Sequence, residues 1–167
     1  MNIKKILGEI KKSKKYLEWS KGHKEYILSN VFVMLEDSEN IGDIQFGFCD
    51  HKGEKITSFV FDKEVKDMFE DDIFKKPESK VSKIEIEEVK IEIEEALKIA
   101  NQSNEKYYPS EFATKKMLIL QNIEGVIWNT TFITKSFNMI NFKIDAKEGK
   151  LLKHEKKSLL QLGSNLN

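Results

Sequence analysis

Hydrophobic positions along this chain change their spacing several times, and each change predicts a different element. Over residues 2–20, Ile3, Ile6, Leu7 and Ile10 recur three and four apart, with Leu17 a further heptad on. That spacing predicts an amphipathic helix. Lys4, Lys5, Lys11, Lys12, Lys14 and Lys15 flank the stripe. The apolar face is narrow, and Glu9 and Glu18 dilute the charge. The helix is therefore expected to pack on a sheet with its lysines in water, rather than to lie on anionic lipid. The period then falls to two over residues 26–36, 41–49 and 54–61, which are rich in β-branched and aromatic residues. Ile44, Phe46 and Phe48 alternate with Asp43, Gln45 and Gly47, as in an antiparallel strand with one wet face. Asp50-His51-Lys52-Gly53 supplies the turn of a hairpin.

Residues 63–74 read as a short helix burying Val65, Met68, Phe69 and Ile73 or Phe74, followed by a linker at Pro77 and Ser79. Residues 81–103 admit two readings. Ile84, Ile86, Val89, Ile91 and Ile93 suit a strand, whereas Ser82 and Glu85 suit a helical capping box. The preferred reading is an extended lead-in to about 89, then a helix over 92–103 with Ile93, Ala96, Leu97 and Ala100 on one face. A turn-like stretch, 104–110, contains Pro109. Strands are predicted at 116–122, 125–134, 137–145 and 150–156, with an Asp145…Gly149 hairpin turn, and 159–167 reads as a frayed tail. The halves echo one another: residues 44–48 ahead of an Asp-x-x-Gly turn match 140–144 ahead of an Asp-x-x-x-Gly turn. The pattern predicts an α+β fold of antiparallel sheets, each with a helix packed on one face, as a tandem repeat of two units at 1–80 and 81–167.

Composition narrows the function. The 167 residues carry 28 basic and 28 acidic side chains, and every basic one is lysine. A neutral chain without arginine forks is a poor nucleic-acid binder, and an A/T-rich genome accounts for the missing arginine. Cys49 is the lone cysteine, and His23, His51 and His154 stand far apart, outside any metal-ligand spacing. Phosphate-binding glycine loops and nucleophile elbows are missing. The acidic runs Glu70-Asp71-Asp72 and Glu85–Glu95 read as solvated surface. No catalytic, cofactor-binding or metal-binding residue is expected, and no cofactor. Trp128, Phe132 and Phe137 are the candidates for contact with a partner, with burial in the core as the competing reading. No apolar run approaches a membrane span, and the basic start lacks the apolar stretch of a signal peptide. The expected location is the cytoplasm, with export only if a leader has been removed. Composition leaves the oligomeric state open.

Three segments together resemble the PepSY domain family: residues 93–100 (IEEALKIA), 125–128 (GVIW) and 144–152 (IDAKEGKLL). The likeness covers about residues 90–155, with the first half as a divergent second copy. Glu92 stands where the family usually places a Ser or Thr helix cap, and the usual export signal is missing. The resemblance implies a cystatin-like fold, a binding or regulatory role (inhibition of peptidases in some members) and no catalytic residues. The function expected is a non-enzymatic binding module acting through protein–protein contact, by a sheet edge or a sheet face. The alternative is a small cytosolic immunity or antitoxin-type protein that neutralises a toxin.

Overall fold

The structure, a computed structural model, describes residues 1–36, 40–72 and 81–164. Helix α1 (Ile3–Lys12) buries Ile3, Ile6, Leu7 and Ile10 as their spacing requires. The single helix expected over 2–20 is broken at Ser13. Its hydroxyl donates to the Ile10 carbonyl at 2.7 Å and accepts the Tyr16 N–H at 3.2 Å, closing α1 and capping α2 (Lys14–Ser20). The break changes which residue faces inward: Trp19 is buried, and Leu17 is left 52% exposed.

A meander of four strands follows: β1 (Ile27–Glu36), β2 (Asn40–Cys49), β3 (Lys55–Asp62) and β4 (Glu64–Asp72). Past a short 3-10 turn (Ile86–Glu88) comes α3 (Ile93–Tyr107). A second meander is built from β5 (Ala113–Asn122), β6 (Val126–Thr134), β7 (Asn138–Asp145) and β8 (Leu151–Ser158), and α4 (Leu159–Ser164) stands where a frayed tail was expected. The fold is α+β, but the expected pair of sheets, each with its own helix in a tandem repeat, is corrected. All eight strands form one antiparallel sheet in the order β4-β3-β2-β1-β5-β6-β7-β8. The two meanders fuse where β1 pairs with β5, from Asn30 opposite Gln121 to Leu35 opposite Lys116. Both joining strands are apolar on both faces: Val31 and Val33 against Phe32 and Met34, Leu118 and Leu120 against Met117 and Ile119. That is the composition of interior strands, not of edges.

The helix predicted over 63–74 is likewise corrected, for residues 64–72, to strand β4. Val65 pairs with Phe61 and Met68 with Phe59, and a bulge between these pairs inserts one extra residue. Two inward residues three apart therefore imitate a helical stripe. Phe69 points the other way and is 40% exposed. The proposed contributions of Ile73 and Phe74, and the linker at Pro77 and Ser79, lie outside the described residues.

Helices α1 to α3 cover one face of the sheet, and a single buried cluster runs beneath them from Ile3 through Phe46 and Trp128 to Ala146. The lead-in to α3 is fastened to the sheet by backbone bonds. Ile84 N–H donates to Leu28, and the N–H groups of Lys90 and Ile91 both donate to Ala146. Glu92 does not cap its own helix; its carboxylate accepts the Ile3 N–H at 3.0 Å instead, satisfying the start of α1. Among the described residues, no helix is long and apolar enough to cross a membrane.

Candidate functional site

At one end of the second meander a buried carboxylate organises an exposed aromatic tip. Glu111 is 7% exposed. Its Oε1 accepts from Asn138 Nδ2 at 2.8 Å and from Lys156 Nζ at 3.1 Å. Its Oε2 is buried without a partner of good geometry, and the Thr134 hydroxyl lies close enough to act on the carboxyl. Burial by itself would raise the pKa of Glu111. The hydrogen bonds of Thr134, Lys156 and Asn138, with the Lys156 charge, outweigh burial and hold it below the ordinary glutamate value. The backbone is tied as well: Glu111 N–H donates to Tyr108 and its carbonyl accepts from Asn104 Nδ2 at 3.0 Å.

The same carboxylate fixes the β6–β7 turn. Thr134 accepts the Asn138 N–H through its hydroxyl at 3.2 Å and the Phe137 N–H through its carbonyl at 3.1 Å. In each of two neighbouring pairs, a polar residue turns inward and an aromatic outward: Glu111 with Phe112, and Asn138 with Phe137. Phe112 is 65% exposed and Phe137 is 62% exposed. The Phe112 carbonyl accepts the Lys135 N–H at 3.0 Å, and the Phe137 carbonyl accepts the Leu159 N–H at 2.9 Å, so α4 begins beside the tip. Phe137 has φ 55°. Left-handed backbone at a bulky residue costs about 1–2 kcal/mol; Asn or Gly would serve the turn at less cost.

The three aromatics expected at a partner surface are thus not brought together. Trp128 and Phe132 are fully buried under the helices, with Trp128 Nε1 donating to the Ile91 carbonyl at 2.8 Å. Phe137 is at the surface. Phe112 and Glu111 escaped sequence reasoning because they adjoin a stretch read only as a turn; the Glu-Phe step before a strand was the available signal.

The histidines lie in two other places. His154 accepts or donates to the Tyr108 hydroxyl at 2.8 Å and stacks on Tyr107 at 4.1 Å. His23 stacks on Trp19, and His51 lies 3.6 Å from Glu25, both beside an open depression of about 580 Å³. Its other polar groups already have tasks. Asp50 resists the effect of its burial and is held below the usual carboxylate range by the N–H groups of Glu54, Lys55 and Gly53, which make it the cap of its turn. Burial, with the charges of Asp50 and Glu70, pushes the Tyr26 phenol up and keeps it protonated. Among the described residues, no group of three or more His, Cys, Asp or Glu side chains is placed to hold a metal ion.

Fold and site together describe an α+β protein in which helices cover one face of a broad antiparallel sheet and an anchored turn displays aromatics at its end. No family model matches the chain, and no curated protein matches it. Among solved structures it is similar to a candidate lipoprotein from Clostridium difficile 630, with 13% identity and a TM-score of 0.53 over 86% of this chain and 90% of that one. At that identity the likeness is one of fold. The expected cytoplasmic location does not stand beside it, since the protein sharing the fold is described as a lipoprotein.

Proposed function

We propose that this chain is a non-enzymatic, PepSY-like binding module that acts by protein–protein contact through the Phe137–Phe112 tip. The observation that carries the reading is Phe137 itself. A large apolar side chain is held in water on a left-handed backbone, by a turn anchored on a buried carboxylate. Strain of this kind persists where surrounding structure enforces it, and an exposed aromatic on a rigid mount is a good anchor for a partner's pocket. The PepSY-like reading is supported by α3 starting at Ile93, by the central aromatic Trp128 on β6, and by the closing turn. There Asp145 accepts the Lys147 and Glu148 N–H groups and Gly149 takes φ 72°. The lipoprotein of like fold favours an exported or membrane-held setting.

The test separates stability from binding. Phe137→Asn relieves the backbone, so it is expected to raise the Tm by about 2–4 °C for each kcal/mol of strain released. It should also abolish partner cross-linking from a photoreactive residue placed at Ser136 in the native cell. A Tm that falls instead would mean that Phe137 serves the fold, and the binding reading would go.

A further inference from the structure

We propose that the face of the sheet opposite α1–α3 is the interface of a two-fold homodimer of this chain. All three of the helices that form the main core lie on the opposite face, and Cys49, Val60 and Ile127 are buried yet stand outside that core. At the centre of the free face, on the two middle strands, are Phe32, Met34, Met117 and Ile119, with Met34 45% exposed. Asn30 and Ile56 close over Gly47, where a Cβ would come within 2.7 Å of both side chains.

The charges on this face are sorted. Asp43, Asp62, Asp67 and Asp71 occupy the β2–β4 side, with Lys66 paired to Asp43 at 3.0 Å. Lys115, Lys143, Lys153 and Lys157 occupy the β5–β8 side, with Glu155 between the last two and Asp145 opposite Ile127 at the strand end. A chain of zero net charge therefore shows one mainly acidic and one mainly basic half. One row of paired residues crosses all eight strands from Asp67 on β4, through Phe32 and Ile119, to Lys153 on β8.

Turned end for end by a half-turn, that row sets acid against base at its ends and apolar against apolar at its centre. With a two-fold axis parallel to the strands over the β1–β5 line, Asp67 of one copy meets Lys153 of the other. Val60 meets the stem of Lys143, Gln45 meets Asn129, Phe32 meets Ile119, and Met34 meets Met117 one row away. An axis across the strands would stack like charges instead, so the charge pattern selects one arrangement of the isologous pair. Two sheets packed face to face lie about 10 Å apart with their strands nearly aligned. Eight strands about 4.8 Å apart and about 25 Å long offer about 900 Å² per copy, against about 800 Å² in a standard interface. A half-turn about this axis leaves both Phe137 tips at the same end of the pair, so the dimer is bivalent.

Sedimentation equilibrium of the full chain tests the arrangement. The wild type is expected at twice its 19.5 kDa mass. Met34→Lys, on an exposed position, should sediment as a monomer with an unchanged circular dichroism spectrum and a Tm that, unlike the wild type's, no longer rises with protein concentration. Asp67→Lys and Lys153→Glu should each weaken the dimer by about tenfold or more, and the double variant should recover it. A wild type that stays monomeric at millimolar concentration overturns the proposal, whether or not another protein binds this face. So does a dimer that survives Met34→Lys, or a double variant no tighter than its parents.

Discussion

Trp128→Ala is expected to lower stability by about 3–5 kcal/mol, the usual cost of emptying a large aromatic site. Trp128 is fully buried on β6, between Leu120 and Ile144 on the neighbouring strands. The substitution removes that contact area and leaves the Ile91 carbonyl without its donor. It also frees the lead-in to α3, whose next ties are the bonds from Lys90 and Ile91 to Ala146. Trp128→Phe keeps most of the ring and loses the hydrogen bond, so it should cost less. Trp19 is the only other tryptophan. It lies in the first half, donating through Nε1 to Thr57 at 3.1 Å. Because one sheet and one core join the halves, Trp19 fluorescence in Trp128→Ala should report a single urea transition displaced with the whole molecule. A Trp19 transition left at the wild-type midpoint, while circular dichroism shows a second, earlier one, would show that the halves unfold separately.

Strand positions were legible where unbroken alternation marks one wet face. Ile44, Phe46 and Phe48 announce β2 by alternation alone, and Asp50 to Gly53 mark its turn. Helix α1 was legible for the same reason at its own period. Three features were not. Joining two meanders into one sheet depends on β1 pairing with β5, a contact between residues some 85 apart that no local pattern states. Its trace is that both strands are apolar on both faces, which local reading takes for two separate cores. The bulge opposite Phe61 converts a strand's period into a helix-like spacing at Val65 and Met68. The break at Ser13 needs one hydroxyl to serve two helix ends, and only the local geometry reveals it. At the candidate site, Phe137 was singled out as an aromatic beside two others. Its separation from Trp128 and Phe132 follows from register: those two share the helix-covered face of β6, and Phe137 falls in the turn beyond. Glu111 was invisible because its worth lies in partners 23, 27 and 45 residues away, at Thr134, Asn138 and Lys156.

Glu111→Gln should destabilise the protein by about 1–2 kcal/mol at pH 7, as expected when a buried carboxylate accepting charge-assisted bonds is made neutral. The penalty should also depend on pH in one direction. The folded protein holds Glu111 below its ordinary value, so the unfolded chain takes up the proton first as pH falls. The stabilisation is full above the unfolded value of about 4.3 and is lost as pH drops through the lower folded value. The wild-type advantage over Glu111→Gln should stay level from pH 7 to about pH 5 and shrink steadily below about pH 4. Asp50 also titrates low in the folded state, but it is common to both proteins and cancels in the difference. Urea midpoints for the pair across this range make the measurement, and an advantage undiminished at pH 3 would show that the carboxylate is not held ionised. The same substitution reaches the tip. Without the negative charge, Lys156 turns to water and the β6–β7 turn keeps fewer of its anchors, so Phe137 should lose order and its partner cross-link should weaken at pH 7. Phe137→Asn instead removes the aromatic from a turn that remains anchored, so comparing the two variants distinguishes a lost contact group from a loosened mount.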